Sequence, residues 1–429
     1  MKSSFCLFLI LLAASTAFSD DDSSFFKKYT NSLSTCGYAI AVSPDESIGM
    51  AGSRTDASGI RTSFFGGANK LGDLKFVNTY STGGLSDTLS VIASTPDKGF
   101  ILAGTTRATN ESREILIFKV RANGTIVWKK KIGGGNGSDV VWGMTATPTG
   151  YVLAGTSDLD VMLLKISWQT GKVLWKKTYG DSETEYGYSV APTENGGVLV
   201  AGVRESNPLV LKVDSSGKLL WHRIISTLFD SGDGAPIVAT TPTAYYIGST
   251  TAPGEHSHGG NENGIVLTKL TIDGKFLWSK HFHNSAESLT GWHIVPSEDG
   301  SVILSGQMGF TPTRAIFLRV DPRGKIIWKR MVDEENSSAF FSATLNDSHV
   351  LITGCVGQST LDLFALKINQ KNGLLDAPCS LLKAPAIITG PRPQTLTTYA
   401  IETRNSPIVI TSPNLTRSQL SVDSVEGCN

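Results

Sequence analysis

Short apolar runs separated by turn residues dominate the chain, and residues 150–180 (GYVLAGTSDLDVMLLKISWQTGKVLWKKTYG) show this pattern most clearly. Three apolar runs lie at 151–154, 161–166 and 173–175, and a tight turn containing Gly171 precedes the last of them. Runs of about five residues that are rich in Val, Ile and Leu and bounded by turn residues are typical of β-strands. The apolar spacing of an amphipathic helix is absent, so the block is predicted to be β-structure.

Close copies of this block recur along the chain at intervals of 46 to 58 residues. Each copy has a glycine at the end of its first run, a turn glycine, and usually an aromatic residue four positions after the turn glycine. The first set of glycines is Gly52, Gly104, Gly155, Gly202, Gly248, Gly306 and Gly354. The turn glycines are Gly72, Gly124, Gly171, Gly217, Gly274, Gly324 and Gly373. The aromatic residues are Phe76, Trp128, Trp175, Trp221, Trp278 and Trp328. Seven copies predict an all-β fold, a seven-bladed β-propeller with these aromatic residues wedged between blades.

The segments around the turn glycines carry a family resemblance. The stretches VRANGTIVW, SWQTGKVLW, VDSSGKLLW and LTIDGKFLW are similar to the tryptophan-docking repeats of PQQ-like (quinoprotein-type) β-propellers, over roughly residues 25–380. This resemblance implies the propeller fold. Quinoprotein dehydrogenases of this type have an adjacent Cys-Cys pair beneath the cofactor, which this sequence lacks. No catalytic residue or calcium ligand of that family is therefore carried over.

The N-terminal part of the repeat region predicts how the propeller closes. Phe25–Thr30 (FFKKYT) resembles residues 174–179 (LWKKTY), the outermost strand of a repeat, yet it has no repeat of its own. We expect this strand to complete the last blade beside residues 340–345, 350–353 and 361–368. The closure would then leave no open sheet edge.

Residues 20–380 are predicted to form the propeller domain, and residues 381–429 a short C-terminal appendage. Prolines between residues 378 and 395 indicate an irregular linker. Beyond it, residues 395–403 and 407–411 have the pattern of a small β-hairpin. Because an isolated two-stranded hairpin is only marginally stable, we expect it to pack on the propeller.

Residues 1–19 have the pattern of a secretory signal peptide. Lys2 precedes an apolar core at residues 5–14, and a small-x-small cleavage site ends at Ser19. The apolar core is too short to span a bilayer, and no later segment approaches the required length. We therefore expect a secreted, extracellular protein without a transmembrane segment.

Cysteines and glycosylation sequons agree with that compartment. Beyond the signal peptide, Cys36, Cys355, Cys379 and Cys428 are an even number of cysteines, which suggests two disulfides with three possible connectivities. In the predicted strand order Cys36 and Cys355 reach the same face of the ring, so Cys36–Cys355 is the preferred pair and Cys379–Cys428 follows. Six sequons fall in predicted loops, turns or the tail, at Asn110, Asn123, Asn136, Asn336, Asn346 and Asn414.

Charge and motifs exclude several function classes. The chain has 38 lysines and arginines against 38 aspartates and glutamates, a net charge of zero. This balance argues against a nucleic-acid partner or an anionic membrane held by bulk electrostatics. The sequence also lacks the GxSxG, HExxH, phosphate-binding-loop and EF-hand patterns.

Histidines cluster near the fifth predicted blade. His256 and His258 lie in a long loop insertion, and His281 and His283 lie two residues apart on one predicted strand. Alternate residues of a strand point to the same side, so His281 and His283 are candidate ligands for one metal ion, such as zinc or copper. The alternative interpretation is an exposed polar loop beside an exposed edge strand.

Aromatic residues recur where the predicted inner strands begin. Five of them are candidate ligand-binding residues at the mouth of the central channel: Tyr38, Trp142, Tyr188, Trp292 and Phe340. Aromatic faces suit carbohydrates or apolar small molecules, and the alternative is packing between blades. Acidic residues also precede several inner strands, at Asp87, Asp139, Glu185, Asp233 and Glu287. They are expected either to gather a cation at the channel mouth or to cap turns.

These observations favour a secreted, non-catalytic recognition protein that binds a protein or a glycan at the loop face of the propeller. An enzyme that uses the channel mouth, either metal-dependent or an oxidoreductase with an unidentified cofactor, is the first alternative. A structural component of an extracellular matrix is the second alternative. The sequence does not decide among these three functions.

Overall fold

The computed structural model describes most of the chain from residue 24 onward. The described ranges are 24–30, 34–107, 112–133, 137–226, 235–251, 263–309, 312–344, 348–357, 361–375, 381–391, 395–397, 402–405, 409–411, 416–419 and 423–426. Within these ranges all helices and strands are β-strands. No helix in the described ranges is long and apolar enough to cross a membrane. The predicted signal peptide lies outside them.

Four-stranded antiparallel units, seven of them in the described ranges, make up the body of the protein. Their strands, in the order in which they pair, are β2 (Ser34–Val42), β3 (Ile48–Thr55), β4 (Arg61–Ala68) and β5 (Leu74–Ser81) in unit 1; β6 (Ser86–Ser94), β7 (Phe100–Arg107), β8 (Glu114–Val120) and β9 (Ile126–Gly133) in unit 2; β10 (Asp139–Thr147), β11 (Gly150–Ser157), β12 (Asp160–Ile166) and β13 (Val173–Gly180) in unit 3; β14 (Glu185–Pro192), β15 (Val198–Arg204), β16 (Asn207–Val213) and β17 (Leu219–Ser226) in unit 4; β18 (Ile237–Thr240), β19 (Tyr245–Thr250), β20 (Gly264–Leu270) and β21 (Phe276–His283) in unit 5; β22 (Leu289–Pro296), β23 (Val302–Met308), β24 (Arg314–Val320) and β25 (Ile326–Val332) in unit 6; and β26 (Ser337–Thr344), β27 (His349–Val356), β28 (Asp362–Asn369) and β1 (Phe25–Thr30) in unit 7.

The first strand of each unit contacts the first strand of the next, and β26 of unit 7 contacts β2 of unit 1. These seven strands, the inner strands, therefore form a closed ring. Units 1 and 2 also share one sheet, through a single parallel bridge between Arg61 and Ser86. The protein is thus all-β, with a propeller-like arrangement of four-stranded antiparallel sheets.

The N-terminal strand closes this ring as the sequence predicts. Strand β1 pairs antiparallel with β28, from Phe25 opposite Lys367 to Tyr29 opposite Leu363. The two ends of the repeat region are also joined covalently, because Cys36 and Cys355 form a disulfide with their Cα atoms 5.0 Å apart. The predicted Cys36–Cys355 pairing is confirmed. Cys379 and Cys428 lie outside the described residues.

The C-terminal appendage is not a hairpin, and this prediction is wrong. Its strands each pair antiparallel with the outermost strand of a different unit. These belt strands are β29 (Leu382–Lys383) on unit 6, β30 (Ile388–Pro391) on unit 5, β31 (Thr395–Thr397) on unit 4, β32 (Glu402–Asn405) on unit 3, β33 (Val409–Thr411) on unit 2, β34 (Thr416–Gln419) on unit 1 and β35 (Asp423–Glu426) on unit 7. An outermost strand offers unpaired N–H and C=O groups, and pairing with them is more favourable than an isolated hairpin.

The recurring aromatic residue joins neighbouring units. In each case its ring lies over the turn glycine of the next unit, which leaves no space there for a Cβ atom. The pairs are Phe76 with Gly124, Trp128 with Gly171, Trp175 with Gly217, Trp221 with Gly274, Trp278 with Gly324, Trp328 with Gly373 and Phe25 with Gly72. Several indole N–H groups also donate to a carbonyl of the next unit, as Trp328 Nε1 does to Gln370 O at 2.7 Å. The predicted wedge between units is confirmed.

The second recurring glycine is explained by a β-bulge in the inner strand. In six units the inner strand carries one extra residue, and a carbonyl of that strand occupies the position where a Cβ atom on the glycine would lie. In unit 3, for example, Val140 O faces Gly155 in this way. Unit 5 differs, because Gly248 faces the side chain of Ile237 and the described pairing of β18 contains no bulge.

Candidate functional site

A cavity of about 620 Å³ lies at the end of the ring where the inner strands begin. All five candidate ligand-binding residues of the sequence line it: Tyr38, Trp142, Tyr188, Trp292 and Phe340. None of these five belongs to the apolar clusters that form the core between units. A cavity of this size is within the range of small-molecule and oligosaccharide sites, about 300–1,000 Å³.

The β-bulges direct these side chains into the cavity. Each of the five aromatic residues is the extra residue of its bulge, as Trp142 is between Val141 and Gly143. A bulged residue has no partner across the sheet, and the local bend re-aims its side chain. Trp142 is consequently 44% exposed although it sits in the middle of β10. The equivalent bulged residue of unit 2 is Ser90, and it lines the cavity as well.

The aromatic side chains form two arcs. In units 6, 7 and 1, the ring centroid of Phe340 is 5.6 Å from that of Trp292 and 5.6 Å from that of Tyr38. In units 3 and 4, the centroids of Trp142 and Tyr188 are 6.2 Å apart. Aromatic pairs at these separations attract one another, so each arc is a preorganised apolar platform. Unit 5, which has no bulged residue, and Ser90 of unit 2 separate the two arcs.

The sector at unit 2 is polar and positively charged. Three arginines line the cavity there, Arg61 from unit 1 and Arg107 and Arg113 from unit 2. Strand pairing places Ser86 between the first two, because it is opposite Arg61 on one side and Arg107 on the other. These arginines were not identified from the sequence, because they lie at strand ends that no repeat position marks.

Two titratable groups of the cavity have shifted pKa values. Burial lowers the pKa of His293 to about 3, so its imidazole is neutral near pH 7. Its Nδ1 accepts a hydrogen bond from the backbone N–H of Ser342, and its ring centroid is 3.7 Å from that of Phe341. Burial, followed by the neighbouring Tyr186, raises the pKa of Tyr188. The hydroxyl of Tyr188 is therefore a neutral hydrogen-bonding group at physiological pH.

The acidic residues that precede the inner strands have internal partners. Asp87 accepts hydrogen bonds from the backbone N–H and the hydroxyl of Thr82, Asp139 pairs with Lys176 at 2.9 Å, and Glu185 pairs with Arg204. This arrangement agrees with the structural interpretation of these residues rather than with a shared cation site. Glu287 is half-buried, and Asp233 lies outside the described residues.

The histidines that were predicted to bind metal are only partly described. The rings of His281 and His283 stack with centroids 4.9 Å apart, so they share one side of β21 as expected. No group of three or more His, Cys, Asp or Glu side chains that could hold a metal ion occurs among the described residues. His256 and His258 lie outside the described residues. A metal site at these histidines stays a prediction.

The predicted glycosylation sites are also partly described. Asn123 is exposed in the turn before β9, and Asn336 is half-buried in the turn before β26, with a φ of 59°. The other four sequon asparagines lie outside the described residues: Asn110, Asn136, Asn346 and Asn414. Their modification stays a prediction.

Comparison with known proteins gives only distant structural similarity. No protein-family model matches the chain, and no curated protein has a significantly similar sequence. Similar solved structures include a protein of unknown function from Dyadobacter fermentans, with 12% identity, coverage of 80% of this chain and 97% of that chain, and a TM-score of 0.42. They also include a protein from Lactobacillus plantarum (12% identity, 68% and 84% coverage, TM-score 0.42) and a mutant of NanB sialidase from Streptococcus pneumoniae (9% identity, 81% and 69% coverage, TM-score 0.39). The fold described above rests on the strand pairing and not on these similarities.

Proposed function

We propose that the seven units are the blades of a seven-bladed β-propeller. The closed ring of inner strands and the docking of an aromatic ring onto the next unit at all seven junctions support this assignment. The PQQ-like repeat resemblance agrees with it as a statement about fold alone.

The protein is proposed to act outside the cell. The Cys36–Cys355 disulfide supports this location, because disulfides persist mainly in oxidising compartments. The signal-peptide pattern at residues 1–19 and the six sequons point to the same compartment. Mass spectrometry of the protein recovered from its natural source tests this assignment, through a mature N-terminus near residue 20 and glycans on the sequon asparagines.

At the cavity, the proposed function is non-catalytic recognition of a glycan. The supporting observation is that five bulged residues project aromatic rings into one cavity of about 620 Å³. Sugar rings present apolar C–H faces between polar hydroxyl groups, and such faces stack on aromatic rings. A flat protein-binding surface would not require a concave wall of this kind.

The test is binding of an oligosaccharide panel to the purified protein, measured by calorimetry and by the intrinsic fluorescence of tryptophan. Trp142→Ala and Trp292→Ala each remove one platform, and we expect each to weaken binding at least about tenfold. Phe276→Ala is the matched control, because Phe276 is 40% exposed on the outermost strand of unit 5, away from the cavity. Unchanged affinity in both tryptophan variants, with the fold intact, would refute the proposal.

A further inference from the structure

The cavity is chemically one-sided. Aromatic rings line it in units 1, 3, 4, 6 and 7, whereas unit 2 places the small polar side chain of Ser90 at the bulge position. The cavity therefore extends over Ser90 towards Thr88, Thr105 and Ser86. Beyond these hydroxyl groups lie the exposed side chains of the three arginines described above.

The positive charge of this sector is not neutralised within the described part of the protein. None of Arg61, Arg107 and Arg113 forms an ion pair with a described carboxylate, and no described carboxylate lines the cavity. The nearby acidic groups have other partners, since Glu114 pairs with Lys131 at 2.7 Å and Asp139 pairs with Lys176. Three like charges in one wall repel each other, and this repulsion is relieved when an anion binds.

We propose that the occupant of the cavity is an acidic glycan. Its carboxylate or sulfate groups contact Arg61, Arg107 and Arg113, and its sugar rings stack on the aromatic arcs. This inference rests on the proposed function and adds the charge of the ligand. The planar guanidinium donates two parallel hydrogen bonds to a carboxylate or a sulfate, which makes arginine better suited than lysine to this recognition. The hydroxyl groups of Ser86, Thr88 and Ser90 add neutral hydrogen-bonding groups for the sugar.

The chain as a whole does not display this preference. Its net charge is zero, so attraction of an anion depends on the local clustering of the arginines. Because all three side chains are exposed, the attraction is screened by salt. Binding of an acidic ligand should therefore weaken as the salt concentration rises, whereas stacking of a neutral sugar should not.

The experiment compares matched pairs of oligosaccharides on the full chain. The acidic members carry glucuronate, galacturonate, sialate or sulfate, and each has a carboxyl-reduced or desulfated counterpart of equal length. We expect at least one acidic member to bind about tenfold or more tightly than its neutral counterpart at low salt. A preference confined to the uronates and sialate identifies a carboxylate ligand, and a preference confined to the sulfated member identifies a sulfate ligand.

Charge variants test whether the arginines are responsible. In the double variant Arg107→Gln and Arg113→Gln the acidic-to-neutral affinity ratio should fall to about one, with the affinity for the neutral member retained. Arg121→Gln is the matched control, because Arg121 is also exposed and lies at the opposite end of the same strand of unit 2. It should leave the ratio unchanged.

The outcomes separate this inference from the proposed function. If no acidic member is preferred but neutral members bind and lose affinity in Trp142→Ala, the acidic-ligand inference is wrong and glycan recognition stands. If no oligosaccharide binds, both are wrong. An acidic preference that survives the double arginine variant also overturns the assignment of the anion to this sector.

Discussion

The rings of Tyr38 and Phe340 meet edge to face, with their centroids 5.6 Å apart and their planes at 72°. Tyr38 belongs to the first unit and Phe340 to the last, so this contact completes one arc of the cavity across the closure of the ring. The disulfide lies beside it, because Cys36 is two positions before Tyr38 on β2. The closure therefore both holds the ring together and shapes the candidate binding site.

The disulfide is predicted to be a main determinant of stability at this closure. It joins residues separated by 319 positions, and a crosslink over such a span strongly restricts the unfolded chain. Replacing both Cys36 and Cys355 by serine should lower the free energy of unfolding by about 2–5 kcal/mol. Urea unfolding followed by tryptophan fluorescence measures this change. A loss below about 1 kcal/mol would show that the non-covalent contacts suffice.

The glycine opposite each bulge should not tolerate a side chain. In Gly155→Ala the new Cβ atom would collide with the backbone carbonyl of Val140, and a backbone atom cannot rotate away. We expect a loss of about 1–3 kcal/mol in the free energy of unfolding. Gly66→Ala is the control, since its Cβ atom would meet its nearest neighbour, Val77, at an ordinary 3.5 Å. A similar loss in both variants would contradict the role given to the bulge.

Loss of one partner of the buried ion pair in unit 3 should be costly. The side chains of Lys176 and Asp139 are 0% and 1% exposed and lie 2.9 Å apart. Asp139→Ala leaves a buried ammonium group without its carboxylate, so we expect a loss of about 3–5 kcal/mol. The exposed pair Lys70–Glu46, at 3.7 Å, is the control, and Glu46→Ala should change stability by less than about 1 kcal/mol. Thermal unfolding of both variants measures the difference, and equal effects would refute the expectation.

The imidazole of His293 should make stability depend on pH. Burial lowers its pKa to about 3, whereas an unfolded histidine has a pKa near 6.5. Below about pH 6.5 the unfolded chain binds a proton that the folded protein does not, so the contribution to stability is complete above that pH and is lost as the pH falls towards 3.

Between pH 7 and pH 5 this group should remove about 1–2 kcal/mol from the free energy of unfolding. The variant His293→Gln cannot take up a proton and retains an acceptor for Ser342. Its stability should therefore fall less steeply than that of the wild type over this range. Denaturant titrations of both proteins at pH 7, 6 and 5 measure the slopes, and parallel slopes would count against the lowered pKa.

The belt strands are predicted to protect the outer edges of all the units. A stop codon after residue 380, combined with Cys379→Ser, would leave the outermost strand of every unit unpaired. Because each belt strand contributes backbone hydrogen bonds worth about 0.5–1.5 kcal/mol each, we expect the free energy of unfolding to fall by about 5 kcal/mol or more. Exposed edges should also cause self-association, which light scattering after gel filtration detects.

A shorter truncation provides a graded comparison for the belt. A stop codon after residue 411 removes only β34 and β35, and hence uncovers units 1 and 7. Its loss of stability should be smaller than that of the longer truncation. A monomeric protein of full stability after removal of the whole belt would show that the edges need no cover.

Several features of the fold and the site were predictable because they are local or periodic. The turn glycines, the aromatic residue four positions later and the alternation of apolar runs repeat in the sequence, and they correspond to the strands and junctions of the structure. The five aromatic residues of the cavity were identified because they recur near the start of each inner strand. Their repetition at one position of the unit indicates a shared direction, even though the bulge that produces it is not visible in the pattern.

The arginine sector and the belt were not predictable in this way. Arg61 and Arg107 are far apart in sequence and meet only because both lie beside Ser86 in the paired strands. The belt strands have three or four residues each in most units, which is too short for a hydrophobic alternation to identify them. Their order around the ring depends on edges that exist only after the units have formed.

The sequence by itself determined the all-β class, the repeated unit, the role of Phe25–Thr30 at the closure and the Cys36–Cys355 pair, because each follows from local strand and turn preferences repeated at a regular period. Only the tertiary structure decided where the C-terminal residues lie, which residues share the cavity and that one wall of it is cationic. Those relationships depend on contacts between distant parts of the chain, and no local preference encodes such contacts.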